Sequence, residues 1–127
     1  LGETDFRLVS VIGGGLRNAI PRESEAVLVL DAADETAFKA SLVEAFNAVR
    51  SEYATTDPEL SLSCESEAVN ATHALPEEDQ LAILMAIQTC PVGIHRMSPD
   101  IEHLVQTSNN LARVEIAEGA ITIRFSL

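Results

Sequence analysis

The side chains best suited to chemistry lie in short polar segments that are bounded by glycine or proline. The first segment, GGGLRNAIPRE (residues 13–23), places Arg17 and Asn18 directly after three glycines. Glycine lets a backbone approach its partner closely, and proline fixes its own φ, so this composition predicts a shaped loop. The residues expected to support the loop are Gly13, Gly14, Arg17 and Pro21. A guanidinium and an amide there can orient a carboxylate or a carbonyl, whereas the alternative is a hairpin connection with exposed polar residues.

The second candidate is Arg96, in the segment GIHRMS (residues 93–98). Pro91 and Pro99 flank it, and the segment is predicted to connect two helices, so a constrained backbone would set the direction of the guanidinium. Such an arginine can grip a carboxylate. The alternative is an ordinary surface arginine among nearby acidic residues.

Composition limits the classes of partner. The chain has 127 residues, with 46% hydrophobic residues and a net charge of -12 from 8 basic and 20 acidic side chains. This size fits one compact domain, and this charge argues against nucleic acid and against an anionic membrane surface. No apolar run has the length of a membrane span, and no signal peptide is recognisable, so we expect a cytoplasmic protein. Because the chain begins at Leu1 and opens directly into a strand, we expect it to be an excised piece of a longer protein.

Motifs of a self-sufficient enzyme are missing from the sequence. The glycine-rich loop has neither the Lys-Ser/Thr ending of a phosphate loop nor the spacing of a dinucleotide fingerprint. The chain has three histidines, which are His73, His95 and His103. Their spacing is not that of metal ligands, and they are expected on the surface. Cys64 and Cys90 lack a CxxC spacing, so reduced, buried thiols are expected in preference to a disulfide.

Hydrophobic periodicity predicts the elements that position these residues. Two strands flank the first loop, and an amphipathic helix then runs from Glu35 to about Tyr53. Alternation over Leu60 to Cys64 predicts a half-buried strand, and a second helix begins at Pro76 and ends near Thr89. The apolar stripe of the first helix is expected at Phe38, Leu42, Phe46 and Val49. On the second helix it is expected at Leu81, Leu84, Met85 and Gln88, with Ile83 and Ile87 alongside and Met85 in the core.

The rest of the chain is predicted to hold a short helix and a hairpin. Ser98-Pro99-Asp100 resembles a helix cap, and two strands at residues 111–117 and 120–127 meet at Glu118-Gly119, a plausible tight turn. Residues 5–12 and 25–30 form the first two strands. An antiparallel sheet with helices on one face buries each helical stripe, so we expect the α+β class and a two-layer sandwich.

The segments GGGLRNAIPRE, LSLSCE, GIHRMS and QTSNNLARV, in this order, resemble the lid domain of aminoacyl-histidine dipeptidases. These enzymes, also called Xaa-His or cytosol non-specific dipeptidases, are metallopeptidases of the group that includes carnosinase and carboxypeptidase G. The resemblance runs from about Leu8 to the C-terminus. Two positions depart from it, because Thr is usual at Gly15 and an apolar residue such as Leu is usual at Asn109.

The resemblance implies a lid over residues 1–127 that serves a separate catalytic domain with two zinc or other divalent ions. It implies that Asn18, Arg96 and Asn110 bind a dipeptide substrate, and that this chain itself supplies no catalytic residue and no metal ligand. The lid histidine of many relatives lies upstream of the loop, so its role is not transferred to His95. Further implied partners are the chain's own catalytic domain and a second copy in a homodimer.

A second hypothesis is a self-standing α+β module that binds or dimerises without catalysis. The sequence that flanks the chain in its gene separates the two hypotheses. An upstream His-x-Asp and a Glu-Glu pair would establish the dipeptidase, and a start codon immediately before Leu1 would establish the independent module.

Overall fold

The computed structural model describes residues 5–67 and 73–126, which form five strands and two α-helices of the α+β class. The strands are β1 (Phe6–Gly14), β2 (Ser24–Leu30), β3 (Gly93–Met97), β4 (Val105–Ala117) and β5 (Ala120–Ser126). The helices are α1 (Glu35–Glu52), preceded by a 3-10 turn at Ala32–Asp34, and α2 (Glu77–Thr89). The predicted fold class and its mainly antiparallel sheet are confirmed.

Strand β4 is the centre of the sheet. Its second half pairs antiparallel with β1, where Gly14 faces Arg113, and with β5, where Ala117 faces Ala120. Its first half pairs with β3, and the sheet order is β2-β1-β4-β3, with β5 also on β4. The predicted turn at Glu118-Gly119 joins β4 to β5, and both of its residues have positive φ. This conformation suits a tight hairpin, because its twist matches that of the strands.

Helix α2 packs on the sheet through Ile83, which joins Val114 and Ile116 of β4 in one hydrophobic cluster. Gln80 is buried on the same face, and its side-chain oxygen accepts a hydrogen bond from the backbone amide of Leu8 at 2.7 Å. The helix therefore turns residues 80, 83 and 87 toward the sheet. Ile83 and Ile87, which were expected alongside the stripe, do pack on the sheet. The stripe itself was wrong, because Leu81, Leu84 and Met85 are exposed, with Met85 at 55%.

The chain divides into two compact units. The described part of the smaller unit comprises residues 5–6 and 29–67. Its core residue is Phe38, which is 4% exposed and meets the ring of Phe6 edge to face at 5.6 Å. Leu42 and Phe46 are half-buried on the same stripe, as predicted, whereas Val49 is exposed. The burial of one side of α1 confirms the amphipathic helix.

The segment after α1 was predicted to contain a strand at Leu60 to Cys64, and this was wrong. Residues 60–67 form neither a helix nor a strand, and Leu62 and Cys64 are exposed. Alternation with a period of two does not by itself make a strand, because a strand also needs a neighbour with which to pair. Both cysteines are free, but the expected burial fails for Cys64 and is partial for Cys90.

Instead of strand pairing, a polar cluster links this segment to α1. Lys39 Nζ donates to Glu35 Oε1 at 2.7 Å and to Ser66 Oγ at 2.6 Å, and Ser66 Oγ also donates to Glu35. The hydrogen bond from Lys39, followed by that from Ser66, lowers the pKa of Glu35 below 4.5. The hydrogen bond to Glu35 raises the pKa of Lys39 above 10.5.

Replacing Glu35 by Gln should lower the free energy of unfolding slightly at neutral pH. A carboxylate whose folded pKa is depressed stabilises the protein above its unfolded pKa, and this contribution disappears as the pH falls through the folded value. The difference between the parent chain and the variant, measured by urea unfolding, should therefore narrow below about pH 4.5. It should also shrink in high salt, because the pair is solvent-accessible. A difference that stays constant from neutral pH to pH 3 would contradict this assignment.

The predicted short helix after Ser98 is absent from the described residues. Ser98 Oγ accepts hydrogen bonds from the amides of Asp100 and Ile101, and the amide of Ser98 donates to Leu104 O at 2.8 Å. Residues 98–104 therefore form a turn that joins β3 to β4. The capping chemistry was recognised correctly, but serine side chains make the same bonds in turns as at helix starts. None of the described helices is long and apolar enough to cross a membrane.

Candidate functional site

The glycine-rich loop connects β1 to β2, and backbone hydrogen bonds fix its conformation at two levels. At its base, the amide of Gly14 donates to Glu23 O at 3.1 Å. Near its tip, the amide of Ala19 donates to Leu16 O at 3.1 Å, so Leu16 to Ala19 form a tight turn. Arg17 and Asn18 are the two central residues of this turn, and both are exposed. The loop thus holds a guanidinium and an amide at its tip.

Gly14 is the glycine that the loop requires most. Its φ is +73°, and a Cβ at this position would lie 2.1 Å from the carbonyl oxygen of Ala112. Gly13 is also closely packed, because a Cβ added at this position would lie 3.2 Å from the Cβ of Ser24. A Cβ on Gly15 would meet nothing within 4 Å, so the Thr that is usual at this position would also fit.

Arg96 lies in β3, which contradicts the prediction of a helix-to-helix connection. The register pairs Ile94 with Ser108, Arg96 with Thr107 and Met97 with Val105. His95 is therefore an extra residue on β3, and Gln106 is an extra residue on β4. Two bulges, one on each strand, flank the pair that contains Arg96. Bulges redirect side chains and recur beside functional sites, so this irregularity sets the direction of the exposed arginine.

Strand β4 brings the two candidate segments to neighbouring positions. Thr107 pairs with Arg96, and three residues further along, Asn110 contacts the glycine-rich loop. Three residues of a strand span about 10 Å. Asn110 donates through Nδ2 to Ala19 O at 2.8 Å, and Asn109 donates through Nδ2 to Pro91 O at 2.7 Å. The predicted residues Asn18, Arg96 and Asn110 thus lie in segments that all touch the first half of β4.

These residues offer hydrogen-bond donors but no nucleophile. An exposed guanidinium forms paired hydrogen bonds with a carboxylate, and an exposed amide donates to a carbonyl oxygen. Within residues 5–67 and 73–126, no three His, Cys, Asp or Glu side chains cluster in a way that would hold a metal ion. The described residues do not fit a metal centre, and all three histidines are exposed. The site can bind and orient a polar ligand.

Sequence reasoning missed two features of this site. Asn109 was recognised only as a departure from the usual residue, and its hydrogen bond to Pro91 depends on a strand pairing that was not predicted. The two bulges depend on the register of β3 against β4, which local composition does not encode. The unbroken polar run QTSNN was a signal that could have revealed the asparagine contacts, because polar side chains within a strand often make contacts across the sheet.

Comparisons with known proteins give two matches. The chain is 33% identical over 122 residues to the cytosol non-specific dipeptidase of Escherichia coli strain K12, and the alignment covers 95% of this chain and 25% of that protein. The crystal structure of aminoacylhistidine dipeptidase from Vibrio alginolyticus superposes with a TM-score of 0.89 at 30% identity, over 97% of this chain and 25% of that one. No protein-family model matches.

Both matches agree with the resemblance that the sequence motifs indicated. The chain spans about one quarter of the length of each relative, so the match identifies a part of these proteins. Over nearly its whole length, this chain is a homologue of a segment of the cytosol non-specific, or aminoacylhistidine, dipeptidases.

Proposed function

We propose that residues 1–127 are the lid domain of a metal-dependent dipeptidase that hydrolyses Xaa-His and other dipeptides. The observation that carries the proposal is the homology over nearly the whole chain to one quarter of two dipeptidases. In this account the chain supplies substrate-binding groups, and a separate catalytic domain of the same protein supplies two metal ions, usually zinc. Since one relative is named for the cytosol, we also propose a cytoplasmic location.

Arg96 is proposed to bind the terminal carboxylate of the dipeptide. Its guanidinium is exposed, and the two bulges beside it fix the path of the backbone. A planar fork of N–H donors matches the two carboxylate oxygens with parallel hydrogen bonds. This contact would persist from the bound substrate to the transition state, so it would contribute to affinity more than to the chemical step.

Asn18 is proposed to donate to the carbonyl oxygen of the scissile peptide bond. The tight turn places Asn18 at the tip of the loop, where its side chain is exposed. A donor fixed before the reaction stabilises the negative charge that develops on this oxygen during attack. Asn110 stays a candidate substrate contact, with its Nδ2 donating to Ala19 O in the structure.

The exposed apolar side chains of α2 support contact with another protein surface. Leu81 and Met85 are 59% and 55% exposed and lie one turn apart, with Leu84 beside them. Apolar surface of this kind is covered in many proteins by a partner. The partner is the catalytic domain or a second copy of the chain. The same surface also fits the alternative function, a self-standing α+β binding or dimerisation module.

Replacing Arg96 by Ala in the whole dipeptidase should raise KM by roughly ten- to a hundredfold, the cost of losing hydrogen bonds to a charged group. The value of kcat should change little, because this interaction is equally strong in substrate and transition state. Arg96→Lys should restore little affinity, since an ammonium cannot form the paired hydrogen bonds. Steady-state kinetics with β-alanyl-histidine measures both constants. An unchanged KM in both variants would remove Arg96 from the substrate site.

A further inference from the structure

Two adjacent asparagines of β4 hold the two segments that carry Arg96 and Asn18. Asn110 Nδ2 donates to Ala19 O at 2.8 Å, and Asn109 Nδ2 donates to Pro91 O at 2.7 Å. Successive residues of a strand point in opposite directions, so each amide serves a different segment. Both asparagines are half-buried, in contrast to the exposed residues Arg96 and Asn18.

The Asn110 bond is a side-chain hydrogen bond between β4 and the tip of the glycine-rich loop. Ala19 closes the tight turn in which Asn18 is a central residue, and the bond spans 91 positions of sequence. The backbone bond at Gly14 fixes only the base of the loop. A donor anchored in the central strand therefore restricts where the turn, and with it the Asn18 amide, can lie.

The hydrogen bond from Asn109 restricts the start of β3 in the same way. Pro91 precedes this strand by two residues, and Asn109 itself pairs with Gly93. The bond fixes the entry of β3 ahead of the bulges at His95 and Gln106. Because a bulged pairing is irregular, an anchor at the entry of the strand helps to determine the register that directs Arg96.

The Asn109 side chain has a feature that a purely structural residue would avoid. Its Oδ1 is buried and has no hydrogen-bond partner among the residues that the structure describes. A buried, unsatisfied oxygen is destabilising, and an apolar side chain of similar size would remove this cost. The amide is therefore better explained by the position it gives to the backbone of Pro91 than by its contribution to stability.

We propose that Asn109 and Asn110 are positioning residues, which orient Arg96 and Asn18 respectively through the backbone segments that carry them. The inference rests on the proposed function, because it assigns separate kinetic roles to the two segments. Asn109 acts on substrate affinity through β3, and this role is particular to this chain, because an apolar residue such as Leu is usual at this position in the family that the sequence resembles. Asn110 acts on the chemical step through the loop.

The test uses Asn109→Leu and Asn110→Leu in the whole dipeptidase, with β-alanyl-histidine as substrate. Asn109→Leu should raise KM by about tenfold with kcat within about twofold, and Asn110→Leu should lower kcat by about tenfold with KM nearly unchanged, since small displacements of positioned groups cost this much. Asn109→Leu should unfold at the same temperature as the parent or at a higher one, because it removes the unsatisfied oxygen. Asn47→Ala, an exposed asparagine of α1, is the control and should change neither constant.

Asn110→Asp provides a second variant of nearly the same size, in case Asn110→Leu does not fold. It cannot donate to Ala19 O when ionised, so it should also lower kcat. Hydrogen exchange of residues 15–22 should become faster in this variant, and exchange of residues 92–97 should not.

The inference is overturned if the two asparagine variants change KM and kcat in the same proportion, or if neither constant changes. Arg96→Ala and Asn18→Ala are measured in the same assay to separate this failure from failure of the proposed function. If those two variants lose affinity and rate as expected while the asparagine variants stay normal, only the positioning inference fails. If Arg96→Ala and Asn18→Ala are themselves normal, the proposed function fails.

Discussion

Replacing Asn18 by Ala in the whole dipeptidase should lower kcat by roughly a hundredfold or more, with a much smaller effect on KM. This is the expected result if the Asn18 amide donates to an oxygen that becomes more negative during attack, because one such donor typically contributes a factor of 10² to 10³. A hundredfold loss corresponds to about 2.7 kcal/mol of transition-state stabilisation. The tight turn at Leu16 to Ala19 makes the effect local, since its backbone hydrogen bond does not involve the Asn18 side chain.

Two further measurements limit the interpretation of the Asn18 variant. Metal content should equal that of the parent enzyme, because the described residues include no cluster of metal ligands. Asn18→Asp should be no more active than Asn18→Ala, since an ionised carboxylate cannot donate to a developing oxyanion. Near-normal kinetics in the Ala variant would mean that the loop is only a connection between β1 and β2. Loss of metal would mean that the metal site has been misplaced.

Replacing Gly14 by Ala should destabilise the protein more than the same replacement at any other glycine that the structure describes. A left-handed conformation costs an L-residue about 1 to 2 kcal/mol. At Gly14 the new Cβ would also lie 2.1 Å from Ala112 O, so β1 and β4 must separate where Gly14 pairs with Arg113. We expect a loss of at least about 3 kcal/mol in the free energy of unfolding, measured with urea or by thermal melting.

Gly119→Ala is the matched control for Gly14→Ala. Gly119 has nearly the same φ, +75°, but a Cβ there meets nothing within 4 Å. Its replacement should cost only the conformational term, about 1 kcal/mol. Equal losses in the two variants would contradict the role of close approach between β1 and β4.

Local patterns predicted the elements that depend on local interactions. The stripe of Phe38, Leu42 and Phe46 identified α1, because helical spacing alone determines which residues share a face. The Glu118-Gly119 turn was recognisable because its conformation needs residues that accept positive φ. The first two strands were recognised with boundaries close to those of β1 and β2, from their β-branched and aliphatic composition.

Elements that depend on distant partners were predicted less well. The orientation of α2 is set by Gln80, whose polar side chain faces the sheet because it accepts from the Leu8 amide. A periodicity argument assigns such a residue to the outside, so it placed Leu81, Leu84 and Met85 inside. Similarly, β3 is a strand because β4 extends far enough to pair with it, although GIHRM contains a glycine and a charged arginine.

In the candidate site, too, local features were predicted and features that depend on distant partners were not. Composition identified the loop and the arginine as unusual, because Gly14 and Arg96 stand out from their surroundings. The geometry that makes them useful comes from β4, through the Asn110 bond to Ala19 and the bulged pairing at Thr107. Register and bulges arise from the whole sheet, so no window of sequence around Arg96 contained this information.

In the proposed function, this chain holds a dipeptide for a catalytic domain through the terminal carboxylate and the scissile carbonyl oxygen. The most direct test changes Arg96 and the substrate carboxylate together. The measurement is kcat/KM of the parent enzyme and of Arg96→Ala, each with β-alanyl-histidine and with its C-terminal amide. If the guanidinium binds the carboxylate, the parent enzyme should prefer the acid by roughly ten- to a hundredfold, and Arg96→Ala should lose this preference because it removes the partner of the charge. An Arg96→Ala enzyme that still prefers the acid by the same factor would contradict the account.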